Sequence, residues 1–134
     1  MELKAKRSTS IKALLVEDIE VCRLVLSTIL LALNCEITLA VNGKEAVELF
    51  LEGKKFDIVL LDKDMPIMTG PEAVVKIRTM GEGDVKIVGV SADDHAMEAF
   101  MNAGADAFVP KPMRRKVLIP IIQEIINKKK NAMV

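Results

Sequence analysis

Four apolar runs in this chain each lead into a residue able to handle charge. Leu14-Leu15-Val16 runs into Glu17-Asp18, Ile58-Val59-Leu60-Leu61 into Asp62, Ile87-Val88-Gly89-Val90 into Ser91, and Ala107-Phe108-Val109 through Pro110 into Lys111. Carboxylates crowded together repel one another, and a hard divalent cation with oxygen ligands relieves that repulsion. Magnesium, or manganese in its place, suits a site with few carboxylates and several retained waters. A lysine and a hydroxyl on the opposite side would neutralise and hydrogen-bond an anion with several oxygens, such as a phosphoryl group. Cation, lysine and hydroxyl together make a phosphoryl-transfer site. Each residue also has a blander reading of its own. Glu17 and Asp18 could cap a helix, Ser91 could serve a turn, and Lys111 could be a loop lysine between two prolines. The joint arrangement carries the weight, because those readings would all have to hold at once.

Elements that would bring these groups together are legible from periodicity. Lys12 to Asp18 reads as a strand buried on both faces, and from Ile19 the spacing becomes helical. Cys22, Val25, Ile29 and Leu33 fall on one side of that helix, Leu24, Thr28 and Leu31 on the other. A helix apolar on both sides is buried or has something docked on its outer face. Leu24 and Leu31 are the expected partner-docking residues, with packing against a neighbouring element as the alternative. Glu36 to Val41 alternates, as an edge strand does. Asn42-Gly43 turns into a helix over 44–51, closed by Gly53, and Phe56 to Asp62 is the third strand. Pro66 and Gly70 bracket a loop, and Pro71-Glu72 opens a helix that continues to Met80. Lys86 to Ser91 is the fourth strand, after which Asp93 or Asp94 can cap a helix over Ala96 to Ala103 with Gly104 as its stop. Ala107 to Val109 is the fifth strand. A last helix spans Arg115 to Asn127, with Leu118, Ile121, Ile122, Ile125 and Ile126 as its apolar face and Pro120 tolerable only in its first turn or as a kink.

Strand and helix alternate five times, which predicts an α/β fold: a flavodoxin-like (βα)5 doubly wound sandwich around a parallel five-stranded sheet in the order 2-1-3-4-5. One domain over 11–127 is expected, between a polar basic tail at 1–10 and a basic tail at 128–134. With 134 residues, 51% hydrophobic and 28% charged, the chain has the size and composition of a single globular unit. Lys plus Arg and Asp plus Glu balance at 19 each, so no overall charge drives it toward nucleic acid or a membrane. Lys4, Lys6, Arg7 and Lys128 to Lys130 read as solvated tails. Cys22 and Cys35 have no C-x-x-C spacing, which favours a reducing compartment: the cytoplasm, the nucleus included. Cys22 is read as a small core residue and His95, the single histidine, as exposed. The amino terminus is polar and basic and Leu24 to Leu33 is too short to span a bilayer, so no secretory or membrane signal is expected.

Taken together, Glu17-Asp18, Asp62-Lys63-Asp64-Met65-Pro66 with Gly70, Ser91-Ala92 and Lys111-Pro112 resemble, in order and spacing, the response-regulator receiver domain of two-component phosphorelays. The resemblance covers about Ile11 to Ile126. It implies that Asp62 is the phosphoacceptor, phosphorylated by a phosphohistidine on a histidine-containing phosphotransfer protein or a histidine kinase. Asp18 and Asp62 would ligate the cation directly, with the backbone carbonyl of Asp64 and waters held by Glu17 completing its shell. Ser91 and Lys111 would each bond a phosphoryl oxygen. Phe108 would be the aromatic switch whose ring follows Ser91, and the Lys111-Pro112 bond would be cis. Ser91 stands where threonine is more frequent. Asp64 and Asp93, two residues beyond the acceptor and the hydroxyl, occupy positions that tune phosphoryl lifetime. The standalone length, Ser91 and the segment Val117 to Ile121 are similar to the small C-type response regulators of plants, which would connect the chain to cytokinin signalling. With no output domain expected after Asn127, output would be a docking change or drainage of the relay as a phosphohistidine phosphatase, from a monomer or weak dimer. A different class, the haloacid-dehalogenase-type phosphatase, shares the D-x-D of Asp62 and Asp64. Its second acid pair follows the lysine, whereas Glu17-Asp18 precedes Asp62 here.

Overall fold

The computed structural model describes residues 10–132, so Lys4, Lys6, Arg7 and most of the expected amino-terminal tail lie outside the described residues. Strands and helices alternate as β1 (Ile11–Val16), α1 (Glu20–Ala32), β2 (Cys35–Ala40), α2 (Gly43–Leu51), β3 (Ile58–Asp62), α3 (Gly70–Thr79), β4 (Lys86–Ser91), α4 (Ala96–Ala103), β5 (Ala107–Pro110) and α5 (Arg115–Ala132). All strand pairs are parallel and the order is β2-β1-β3-β4-β5, as the pattern predicts. Side chains alternate across each strand, so the sheet supports two separate cores. Leu14, Val16, Val59, Leu61 and Ile87 face α2, α3 and α4, where Phe50, Val74, Ile77 and Phe100 meet them. Ile11, Leu15, Ile58, Leu60, Val88 and Val90 face α1 and α5, where Leu26, Leu30, Leu118 and Ile122 meet them. A sheet covered on both faces needs apolar side chains on both, which is why β1, β3 and β4 are near-continuous apolar runs.

Several local expectations are corrected. Strand β1 ends at Val16 rather than Asp18, although Glu17 N still donates to Ala40 O across 3.0 Å; the two acids belong to the following loop. The inner stripe of α1 is Leu26 and Leu30, flanked by half-buried Cys22, Ile29 and Leu33, and Val25 is turned outward at 51% exposure. Burial of each leucine stabilises by about 1.5–3 kcal/mol, so this pair decides the roll of the helix. Leu24 and Leu31 do face outward, 68% and 63% exposed. Helix α3 starts with a reciprocal cap in which Thr69 Oγ1 accepts from Glu72 N while Glu72 Oε1 accepts from Thr69 N. At the start of α4 the capping position is His95, with no side-chain bond, and Asp93 Oδ1, two residues earlier, accepts from His95 N.

Helix α5 continues past Asn127 to Ala132. Lys129 Nζ reaches back to Asp57 Oδ2 at 3.1 Å and to Ser10 O at 3.2 Å, and its charge complements the carboxyl end of the helix dipole. Of the lysines that read as a solvated tail, Lys129 is thereby held against the domain, while Lys128 and Lys130 are exposed. Pro120 lies inside this helix, in its second turn. No helix among the described residues is long and apolar enough to cross a membrane.

Candidate active site

Parallel order places the carboxyl ends of β1, β3, β4 and β5 along one edge, with the loops after them side by side. Asp62 is the last residue of β3. Glu17 and Asp18 follow β1 directly, and Arg23 Nη1 donates to Glu17 O across 2.8 Å, tying this loop to α1. Oxygens of Glu17, Asp18 and Asp62 lie within 4.8 Å of one another. Lys111 Nζ sits 2.7 Å from Glu17 Oε1 and 3.3 Å from Asp62 Oδ1, after a cis Lys111-Pro112 bond that matches the expectation. Three carboxylates therefore face one ammonium, leaving the cluster with excess negative charge.

Both perturbed groups of the cluster respond in the same sense. Burial, at 1% exposure, and then the charge of Asp62 outweigh the Lys111 hydrogen bond and push the Glu17 carboxyl above its ordinary value. Burial disfavours the Lys111 ammonium, yet the Glu17 hydrogen bond and the charges of Asp62 and Glu17 prevail and hold its pKa above the usual lysine value. For Glu17 burial is the chief cause of the rise, whereas for Lys111 the neighbouring carboxylates overcome the effect of burial.

The donor set fits a hard divalent cation. Asp18 Oδ1 is buried and has no hydrogen-bond partner, a costly condition for a carboxylate oxygen unless something positive meets it. Both Glu17 oxygens are already engaged, Oε1 by Lys111 and Oε2 by Ile19 N at 3.3 Å, which suits a role through water rather than direct ligation. Asp64 behaves differently. Its side chain is exposed and stands outside the acid cluster.

Ser91 is buried at the end of β4, its Oγ accepting from Asp93 N at 3.0 Å and its carbonyl from Lys111 N at 2.9 Å. The second bond ties the hydroxyl strand to the lysine loop. Phe108 is half-buried on β5, with its ring 6.2 Å from that of Phe100. Phe100 covers Gly89, the register partner of Phe108, so closely that a Cβ there would overlap its ring. Gly70 is likewise required, because a Cβ would strike the Asp62 carbonyl. Between them, Met68 N donates to Pro66 O at 2.9 Å in a γ-turn that holds Ile67 at φ 75°, a strained state for a β-branched residue. Gly43 N to Met68 O and Gly70 N to Lys63 O fix this loop from two sides.

Sequence reading missed Lys63, which pairs with Asp93 Oδ2 at 2.8 Å across the mouth of the site. The signal was available in the strand order: Asp62 is level with Val90, so Lys63 must fall beside Ser91 and its loop. An apolar cleft of about 330 Å³ adjoins Lys111, lined by Val21, Cys22, Val25, Leu26, Pro112 and Met113. Cys22 thus lines a surface groove rather than the deep core, while Cys35 is buried, its thiol pushed up by burial to about 11. A larger cleft, about 680 Å³, opens at the other end of the sheet, where ion pairs Lys55–Glu82, Lys86–Glu124 and Lys129–Asp57 lie in its lining. The acid cluster, the hydroxyl and Lys111 are all at the opposite edge.

Residues 13–123 match the response regulator receiver domain family. The chain belongs to that family. The receiver is similar to the two-component response regulator ORR42 of Oryza sativa subsp. japonica, 56% identical over 123 residues that cover 92% of each chain. Among solved structures it resembles the receiver domain of the Pseudomonas aeruginosa sensor histidine kinase PA1611, which has magnesium coordinated in its active-site cleft. The TM-score is 0.77 and the identity 29%, over 88% of this chain and 98% of that one. It also resembles the receiver domain of the Saccharomyces cerevisiae response regulator Ssk1, co-crystallised with the histidine phosphotransfer protein Ypd1. There the TM-score is 0.77 and the identity 26%, over 86% of this chain and 88% of that chain. Family membership counts against the haloacid-dehalogenase reading, as does the outward-facing side chain of Asp64.

Proposed function

We propose that this receiver takes a phosphoryl group onto Asp62 from a phosphohistidine of a histidine phosphotransfer protein or a histidine kinase, with magnesium, or manganese in its place, held by Asp18 and Asp62. The observation that carries the reading is the orphaned, buried Asp18 Oδ1 beside Asp62 and Lys111. An Asp62 oxygen attacks the phosphorus, the P–N bond breaks, and the imidazole leaves with the electron pair of that bond. Lys111, 3.3 Å from Asp62 Oδ1, neutralises one phosphoryl oxygen, and the Ser91 hydroxyl donates to another. The backbone carbonyl of Asp64 and water held by Glu17 would complete the cation's oxygen shell. When bound, the cation cancels the spare negative charge and lets an anionic group approach the carboxylates.

Phe108 is the switch residue, positioned by Phe100 to follow Ser91. Asp64 and Asp93 modulate phosphoryl lifetime. Leu24 and Leu31 on the exposed side of α1 form part of the docking surface, beside the apolar cleft that adjoins Lys111. The likeness to a rice response regulator of the same length and to a receiver crystallised with a phosphotransfer protein supports a place among plant C-type regulators, in cytokinin signalling. Such a receiver drains the relay by losing its phosphoryl group to water, acting on the pathway as a phosphohistidine phosphatase. Incubation with magnesium and a labelled phosphotransfer protein should move label to the wild type and none to Asp62→Asn. Label on Asp62→Asn, or no transfer from any phosphohistidine donor, refutes the proposal.

A further inference from the structure

Ser91 presents a positioning problem that threonine would not. A threonine carries two heavy atoms on Cβ and is stiff at χ1, whereas serine has one and can place its oxygen in any of three staggered wells. A hydroxyl also has one proton and two lone pairs, so its donation is directed only if something else occupies a lone pair. Here Asp93 N does so, donating to Ser91 Oγ at 3.0 Å and leaving the hydroxyl proton free. Asp93 is held in turn at its other polar atoms. Its carbonyl accepts from Ala96 N at 3.1 Å, its Oδ1 from His95 N at 2.9 Å and its Oδ2 from Lys63 Nζ at 2.8 Å.

The bonds to Ser91, His95 and Ala96 are local to the loop after β4 and can move with it as a body. The Lys63 bond is different in kind, since it comes from the loop that begins at Asp62 and fixes Asp93 relative to the phosphoacceptor. We propose that Lys63, acting through Asp93, is a positioning residue that aims the Ser91 hydroxyl at the phosphoryl group on Asp62. The role rests on the phosphoacceptor reading above. Each partner holds the other ionised: the hydrogen bond from Lys63, with a smaller contribution from His95 N, keeps the Asp93 carboxyl below its ordinary value, and the Asp93 bond keeps the Lys63 ammonium above its own. The device replaces, with a charge pair between neighbouring loops, the conformational restriction that a β-branched side chain supplies by itself.

The test is a cycle between Lys63 and Ser91, read by calorimetric titration with beryllium fluoride in the presence of magnesium as a mimic of the phosphoryl group. Lys63→Met should weaken beryllofluoride binding by about three- to tenfold, the net worth of one well-made hydrogen bond, and leave the affinity for magnesium alone unchanged. Lys63→Arg, which keeps the ion pair, should recover the wild-type affinity. In a Ser91→Thr background the cost of Lys63→Met should shrink to less than about twofold, because the branched side chain no longer needs the strap. An equal loss in both backgrounds means that Lys63 acts only as a nearby charge, and this overturns the proposal. So does a Lys63→Met protein that binds as the wild type does, or one that loses magnesium affinity in parallel. Failure of the wild type to bind beryllofluoride with magnesium overturns the phosphoacceptor reading itself, and the positioning role with it.

Discussion

Replacing Asp18 with asparagine should stabilise the protein without metal and destabilise it, relative to wild type, with metal. Oxygens of Glu17, Asp18 and Asp62 lie within 4.8 Å of one another, and two unit charges at that separation repel by about 3.5 kcal/mol at an effective dielectric of about 20. Lys111 is bonded to Glu17 and Asp62, not to Asp18, so Asp18 receives the least compensation. Its buried Oδ1 has no partner, and an unsatisfied buried oxygen costs on the order of 1–3 kcal/mol. Asparagine keeps the volume, removes the charge and adds an N–H₂ that can donate to either carboxylate. Because Asp18 is partly exposed, solvent screening reduces the gain to about 1–3 kcal/mol, or roughly 4–12 °C for a chain of this size. Saturating magnesium should reverse the order. The wild type gains about 4.1 kcal/mol at a thousandfold excess over the dissociation constant, and Asp18→Asn, lacking a ligand, gains almost none. Thermal melts in chelator and in magnesium read both halves. An Asp18→Asn protein that melts below wild type in chelator, or that keeps the wild-type gain in magnesium, refutes the reasoning.

The Glu17 carboxyl, raised above 4.5, gives a pH signature. Between its unfolded and folded pKa values the native state holds a proton the unfolded state has lost, so metal-free stability falls as pH rises through that window. Glu17→Gln should remove this part of the slope in chelator melts as the pH rises above 4.5, and parallel curves for the two proteins would sink the assignment. At Gly89, alanine would drive a methyl into the Phe100 ring, costing about 1–3 kcal/mol in denaturant unfolding. Phe100→Leu in the same background should recover part of that, and an undiminished midpoint for Gly89→Ala would show that the contact is loose. Leu24→Asp should slow transfer from a phosphotransfer protein by on the order of tenfold while leaving acetyl phosphate labelling unchanged, since the Leu24 side chain is exposed. Equal rates for wild type and Leu24→Asp would remove that residue from the docking surface.

The strand ends were legible because two kinds of sequence signal coincide there. A strand buried on both faces must be apolar until it leaves the sheet, so the first polar residue marks both the strand's end and the functional edge. Asp62 after Ile58 to Leu61 and Ser91 after Ile87 to Val90 are such cases, and β4 and α4 have the bounds that the pattern predicts. Helix α1 was less legible for a reason of geometry. Cys22, Val21, Leu24, Val25, Leu26, Leu30 and Leu31 surround it, so periodicity alone leaves the roll of the helix undetermined, and packing against the sheet buries Leu26 and Leu30. The end of α5 was hidden because Lys129 finds its carboxylate at Asp57, a partner 72 residues away in sequence.

Lys63 lies between these cases. No local pattern distinguishes it from any lysine in a loop, and taken alone it would be counted as solvated. Its partner follows from topology: β3 and β4 are neighbours, Asp62 is level with Val90, and the residues just beyond them are therefore forced to face one another. The general consequence is that in a parallel sheet the order of strands predicts not only which strand-end residues share a site but also which loop residues meet above it. A charge of each sign, at Lys63 and Asp93, in two such neighbouring loops lets them pair across the edge that carries Asp62 and Ser91.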